Sequence, residues 1–459
     1  MPPGFACATC RCVSRICSPP ESSNSSHGEA RGMAPVWQQG YLLFGWGLAP
    51  SALLAVVPTV LLLVVLAVLR KPAWMAATAG LGAAVLLATG AYHMPVGLAA
   101  SAATYGAAFG VFPISWIVFW ALVLYEISVR TGKFEVIKQS LPAITADTRL
   151  QALLIAFAFG AFLEGCAGFG TPVAVASAML VGLGFPSLYA SQLCLLANTA
   201  PVAFGSIGIP VITLAGITGL PLAALSAGVG RICAPISLLL PAYLIAVTSG
   251  WAAMLEVWPA VLLAGASFAA VQFVVSNFVG PQLTDILASL AAMGGLVLLL
   301  RWWQPATPHT AAALQPAATS QAVGGAQSRH PGGPTGRQVF AAWVPYLLLV
   351  VFVLAWGYQP IAAHLNRVTA SVPWPHLHNQ VLRTVPVVRT PARYAAVFTF
   401  NWLSASGTSC MIASLFAALF AGMSPRQFLA IVGAVAYKLI RPTLTVAAML
   451  AMAFVMNYS

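Results

Sequence analysis

Between Leu48 and Leu69 the chain carries no charged residue, and only Ser51 and Thr59 are polar. A run of ~20 apolar residues is what a helix needs to cross the hydrocarbon layer. In lipid every backbone N–H and C=O must be satisfied inside the segment, so such a run is read as a helix. Arg70-Lys71 closes it. Further apolar runs follow at Trp74–Tyr92, Gly97–Val129, Gln151–Leu183, Leu188–Ile209, Leu222–Val247, Trp258–Val275, Ile286–Leu300, Val339–Trp356 and Trp402–Phe420. The whole chain is 60% hydrophobic and only 6% charged, where soluble domains are about 25% charged. These features predict an all-α polytopic membrane protein. Gly97–Val129 is too long for one upright helix and too short for two. Pro113 divides it, so a tilted, kinked or interfacial first part is expected.

The net charge is +12, but only eight residues are acidic. The basic excess lies mostly in loops, as expected for orientation and contact with anionic lipid. No basic stripe or RNA-binding motif accompanies it, which excludes nucleic acid as a partner. If Gly97–Val129 crosses once, Arg70-Lys71 shares a cytoplasmic side with Arg130, Lys133, Lys138 and Arg149. A plasma or inner membrane is the expected location.

Four regions are expected. Residues 1–33 lack periodicity and read as a disordered tail, either transit-like or upstream of a start at Met33. Residues 34–303 form a first transmembrane half. Residues 304–337, rich in Ala, Pro, Ser and Gly, are a flexible linker. Residues 338–459 form a second half with fewer apolar runs. Its last run, Thr443–Met456, is shorter than the ~20 residues of a span. The second half is therefore expected to be incomplete. No metal or other cofactor is expected. The tail cysteines Cys7, Cys10, Cys12 and Cys17 lack a spaced second pair. His376-x-His378 has no Cys or carboxylate beside it and reads as a solvated loop.

The candidate site is Gly160-Ala-Phe-Leu-Glu164-Gly165-Cys166-Ala-Gly168-Phe-Gly170-Thr171-Pro172. Pro172 lacks a backbone donor, and Gly165, Gly168 and Gly170 weaken a helix and permit unusual backbone angles. The apolar run should break here, either as a kinked span or as a re-entrant hairpin. Broken helix at membrane depth is tolerated where it is buried in protein or lines a cavity. Glu164 is the acidic residue well inside an apolar run; Glu126, Glu135, Asp147, Glu256 and Asp285 lie at or near run ends. An intramembrane carboxylate is a functional candidate, and the alternative is a packing turn. A second interrupted run holds Asn198-Thr199-Ala-Pro201 and Gly205-Ser-Ile-Gly208-Ile-Pro210. Two interrupted segments close in sequence favour a substrate site. Arg231 lies deep in Leu222–Val247. It reads either as a snorkelling side chain or as a guanidinium that forks onto Glu164 or a substrate carboxylate.

Long motifs then match in order. Gly160–Pro172 with Val173 resembles the signature of the L-lactate permease family. So does Leu193-Cys-Leu-Leu-Ala-Asn-Thr-Ala-Pro-Val-Ala-Phe-Gly-Ser-Ile-Gly-Ile-Pro210. Further matches are Thr131-Gly-Lys-Phe-Glu-Val-Ile137, Gly230-Arg231, Ser276-Asn-Phe-Val-Gly-Pro281, Phe400-Asn-Trp-Leu-Ser-Ala-Ser-Gly-Thr408 and Phe454-Val-Met-Asn-Tyr-Ser459. The likeness runs from about Trp37 to the last residue. It implies a secondary carrier for lactate, and often glycolate, together with protons. It also implies an inverted-repeat fold with paired hairpins. The sequence departs from the family pattern at Cys166 and Thr171, where alanines are usual, and at Glu126, where a lysine is usual. Family members also continue beyond the Asn-Tyr-Ser position.

On this reading Glu164 carries the proton, because burial disfavours the charged form of a carboxylate. Arg231 and the N-terminal ends of broken helices supply a positive field. Asn198, Thr199 and Thr171 are placed at the substrate, and Gly165, Gly168, Gly170, Pro172 and Pro201 shape the hairpins. An anion channel would share these features. An enzyme is not expected, since no paired acid and base or metal cluster lies in a predicted span. The sequence leaves open whether identical copies associate.

Overall fold

The computed structural model describes residues 36–42, 47–141, 144–166, 168, 171–305, 307, 309, 335–385, 388 and 391–459. The expected tail, nearly all of the expected linker and Gly170 lie outside these residues. Among the described residues nine helices are long and apolar enough to span a membrane. The chain is an integral, multi-pass membrane protein.

Leu48–Leu63 and Ala73–Gly90 pair near the start. Val96–Arg130 is a single long kinked span. Its kink falls at Phe112, whose φ of -138° and ψ of 125° leave the helical region just before Pro113. A proline disfavours helix at the preceding residue, so the division at Pro113 has a local cause. Thr148–Cys166 is buried along its whole length and forms the axis of the main apolar core.

Small residues set the close helix pairs, as expected where lipid is as apolar as the side chains. Leu222–Ser249 packs along Trp258–Phe278. There Gly265 faces the backbone carbonyl of Leu238. Two buried hydrogen bonds tie the pair: Ser237 Oγ to Gln272 Oε1 at 2.7 Å and Ser226 Oγ to the Ser276 carbonyl at 2.7 Å. Gly106 of the long span lies against the backbone of Leu450 and Ala451; a Cβ there would sit 2.8 Å from Ala451 Cα.

Two regions differ from expectation. The short run Thr443–Met456 is the second part of one helix, Pro425–Tyr458, which a Ser424–Gln427 capping box starts. Its Lys438 and Arg441 are exposed, so a search for uncharged runs misses the helix although the backbone is continuous. Residues 357–401, which hold the His376-x-His378 pair read as a solvated loop, contain strands. β1 (Trp37–Gln38) runs parallel to β3 (Val381–Arg383), which pairs antiparallel with β4 (Ala392–Arg393). β2 (Ala370–Pro373) pairs antiparallel with β5 (Val397–Phe400). This cap holds the end of the last helix: Tyr458 Oη donates to the Ala395 carbonyl at 3.1 Å, and Gln39 Nε2 donates to the Asn457 carbonyl at 3.0 Å. Both ring nitrogens of His378 are engaged, with the Ala396 carbonyl at 3.0 Å and Asn379 Nδ2 at 2.9 Å.

Candidate functional site

Three breaks in apolar helices meet at one place. The first follows Cys166. Helix Thr171–Gly182 packs back against residues 152–166, so the chain reverses between the two helices. The segment is a hairpin, not a kinked span. Pro172 is buried near the start of the return helix. The Thr171 side chain, expected at the substrate, lies outside the described residues.

The second break separates Ser187–Ala197 from the helix ending at Thr218; the two parts are bent by 66°. Asn198 caps the first part, and Pro201 precedes a single 3-10 turn, Val202–Phe204. Helix Gly205–Thr218 then begins with three consecutive left-handed residues: Ser206 (φ 49°), Ile207 (φ 60°) and Gly208 (φ 76°). A β-branched residue at positive φ is an outlier, and each such residue costs of order 1–3 kcal/mol. The turn persists because both sides are packed. The third break is at Gly280-Pro281, between Trp258–Phe278 and Thr284–Trp302.

Glycines let these breaks touch. A Cβ on Gly205 would lie 2.6 Å from Glu164 Oε1, and one on Gly208 would lie 2.7 Å from the carbonyl carbon of Pro281. Gly168 faces Ser206, and a Cβ on Gly165 would lie 3.1 Å from Asp285 Cβ. Four glycines in two motifs thus serve one purpose: backbone of one break lies directly against a neighbour. Gly205→Val should therefore displace the Glu164 carboxylate. Proteoliposome uptake is expected to fall at least tenfold, on the scale of a misplaced reacting group, while size-exclusion elution stays normal. Wild-type uptake by that variant would show that the contact is unimportant.

Glu164 is 7% exposed. Its hydrogen-bonding neighbour is the Asn198 side chain, and its Oε2 has no partner. Asp285 lies at the third break, in the first turn of its helix and 1% exposed, packed against Gly165, the residue after Glu164. Neither Asp285 oxygen has a hydrogen-bond partner. Among the described residues no ion pair reaches either carboxylate. The sequence reading placed Asp285 at the edge of an apolar run and passed over it. The available signal was Gly280-Pro281 four residues upstream, a break of the same kind as Gly170-Thr171-Pro172.

The structure does not bring Arg231 to Glu164. Arg231 is exposed on Leu222–Ser249, and its Nε donates to Asn277 Oδ1 of the neighbouring helix at 3.0 Å. The adjacent Gly230 packs on Ser276, so the motifs Gly230-Arg231 and Ser276-Asn277 meet each other. Thr199 is exposed beside Asn198. A cavity of about 350 Å³ lies by the third break, lined by Gln282, Leu283, Trp356, Ser404, Ser406 and Ser409.

A bundle of spanning helices whose broken segments converge on buried carboxylates is the architecture of a membrane transport protein. The chain belongs to the L-lactate permease family, which it matches over residues 51–459. It is 41% identical over 434 residues to the glycolate permease GlcA of Escherichia coli (strain K12), covering 92% of this chain and 77% of that one. It is also 41% identical over 443 residues to the L-lactate permease of Bacillus subtilis (strain 168), with the same coverage of each chain. The L-lactate permease of Escherichia coli (strain K12) is 39% identical over 430 residues, again covering 92% and 77%. No solved structure matches the chain. Glu126, unusual against the family resemblance, bonds Arg130 at 3.2 Å and Lys438 at 3.3 Å.

Proposed function

We propose that this chain is a secondary active carrier that moves lactate, and glycolate through the same site, across the membrane in symport with protons. The observation that carries the reading is Glu164. It is a buried carboxylate without an ion pair, held where broken helices meet, in a chain 41% identical to named lactate and glycolate permeases. Protonation of Glu164 removes its repulsion of an anionic substrate, and that links the two fluxes. Asn198 at the Glu164 carboxylate suits the substrate hydroxyl. The cavity at the third break, with serine hydroxyls and Gln282, has room for a small hydroxyacid.

Arg231 is the proposed charge partner of the substrate carboxylate. Its Nε is taken by Asn277, and a guanidinium has further N–H donors for a carboxylate. Arg231→Ala is expected to weaken lactate affinity about tenfold to a hundredfold, from the ~1.5–3 kcal/mol of a hydrogen bond to a charged group. Unchanged affinity would leave Arg231 as a contact between two helices.

The test of the reading is uptake of labelled L-lactate by proteoliposomes under an inward proton gradient. Accumulation that collapses with a protonophore supports symport. Equilibration without accumulation would point to a channel, because a channel cannot concentrate its solute. The sequence named Glu164, Asn198 and Thr199; competition by glycolate in the same assay decides whether both acids share the site.

A further inference from the structure

We propose that Glu164 and Asp285 form a pair that shares one exchangeable proton, so that Asp285 is a second residue of the coupling site. This rests on the symport reading above.

The geometry comes first. Asp285 follows the Gly280-Pro281 break, and Gly165, the residue after Glu164, is the glycine that packs on its Cβ. The two carboxyl groups lie within electrostatic reach of each other. Three of their four oxygens, Glu164 Oε2 and both of Asp285, have no hydrogen-bond partner. Buried polar atoms in folded proteins are otherwise almost always paired. Gln272 is the amide neighbour of Asp285; its Oε1 accepts from Ser237 at 2.7 Å and its Nε2 donates to the Ala200 carbonyl at 3.4 Å.

The groups facing the pair do not supply a counter-charge. Cys166 on the same helix and Cys233 on Leu222–Ser249 lie within reach of Asp285. Cys410 on Ser406–Phe420 and Tyr346 on Gly336–Gly357 stand behind Cys166. All are neutral when protonated, and among the described residues no Lys, Arg or His pairs with either carboxylate.

Two like charges in one dry site cannot both persist, and a dyad of carboxyls answers this by holding one proton between them. The proton sits as an O–H on one carboxyl while the other stays ionised. The pair then carries a single negative charge. Loss of the proton restores both carboxylates, so the step is favourable only when water reaches the site. A coupled pair titrates as one unit, not as two separate groups.

Infrared difference spectroscopy of the reconstituted protein at neutral pH tests this directly. The expected result is a protonated-carboxyl stretch that shifts in deuterated water. It should be lost or displaced in both Glu164→Gln and Asp285→Asn. A wild-type spectrum without that band, or a band that Asp285→Asn leaves unchanged, overturns the shared proton. If Asp285→Asn fails to insert, Asp285→Glu carries the test: a displaced band supports the pair and an unchanged one overturns it. Transport is the second readout. Asp285→Asn should lose proton-driven accumulation yet retain lactate exchange across the membrane, and Asp285→Glu should recover part of the accumulation. Full accumulation by Asp285→Asn removes the residue from the coupling site. A sodium gradient driving uptake in place of protons, with no carboxyl band, overturns the proposal in favour of a bound metal cation. Wild-type protein that shows the band but never accumulates lactate refutes symport alone, since the shared proton then stands without it.

Discussion

Glu164→Gln is expected to abolish accumulation of lactate under a proton gradient while lactate still equilibrates across the membrane. The amide keeps the size of the side chain and its contact with Gly205, and Asn198 remains able to bond its oxygen. What it cannot do is exchange a proton. The ratio of internal to external lactate should fall from several-fold to about one, because a carrier without a coupled ion only dissipates gradients. Exchange of labelled for unlabelled lactate should persist, which separates lost coupling from lost folding. Full pH-driven accumulation by this variant would refute the carrier role of Glu164.

Arg149→Ala is expected to cost about 3–5 kcal/mol of stability, the usual penalty for leaving a buried charge without its partner. The Arg149 side chain is 0% exposed and Asp147 2%. The guanidinium meets Asp147 with two bonds, Nε to Oδ1 at 3.2 Å and Nη2 to Oδ2 at 2.9 Å. It also donates to Glu256 at 2.7 Å and to the carbonyls of Ala253 at 3.0 Å and Thr307 at 2.9 Å. Asp147 in turn caps the helix and accepts from the backbone of His309 at 3.0 Å. Removal of Arg149 therefore unties the start of the central helix from residues 253–256 and 307–309 at once. Lysine should rescue little, since it cannot fork. Thermal melting followed by size-exclusion chromatography reads the loss; a melting temperature within a degree of wild type would contradict it.

The same cluster gives a pH dependence with a definite sign. Burial pushes the Asp147 carboxyl up, but hydrogen bonds from Arg149 and His309 outweigh it and hold it below the ordinary carboxylate range. Hydrogen bonds from Arg149 and Thr307 hold Glu256 low as well. Both groups thus bind protons more weakly in the folded than in the unfolded chain. Their stabilisation is fully present above the unfolded values of ~3.9–4.3 and is lost as pH falls through the lower folded values. Melting temperature should drop on acidification in wild type and drop less steeply in Arg149→Ala.

Arg149 also marks a limit of reading charge from sequence. Counted along the chain it belongs with Lys133 and Lys138 in a basic loop. In the structure its charge is consumed by carboxylates from residues 147 and 256, and the latter is remote in sequence. Asp285 shows the same limit from the acidic side. Its place at the edge of an apolar run says nothing of depth, because a helix N-terminus inside the protein has the same local sequence as one at the surface.

The chain's own sequence is enough for the class, most of the helical spans and Glu164 as an intramembrane carboxylate, because length, hydropathy and the cost of a buried charge are properties of a segment alone. It also determined that the chain breaks near Gly168 and Pro172 and again near Pro201, since proline and glycine act on their own backbone. Packing between helices made the first break a hairpin. It alone brought Gly205 and Gly165 to Glu164 and Asp285, and it left Arg231 with Asn277. Those outcomes depend on which backbone a glycine lets approach, and that neighbour is chosen by packing between segments far apart in the chain.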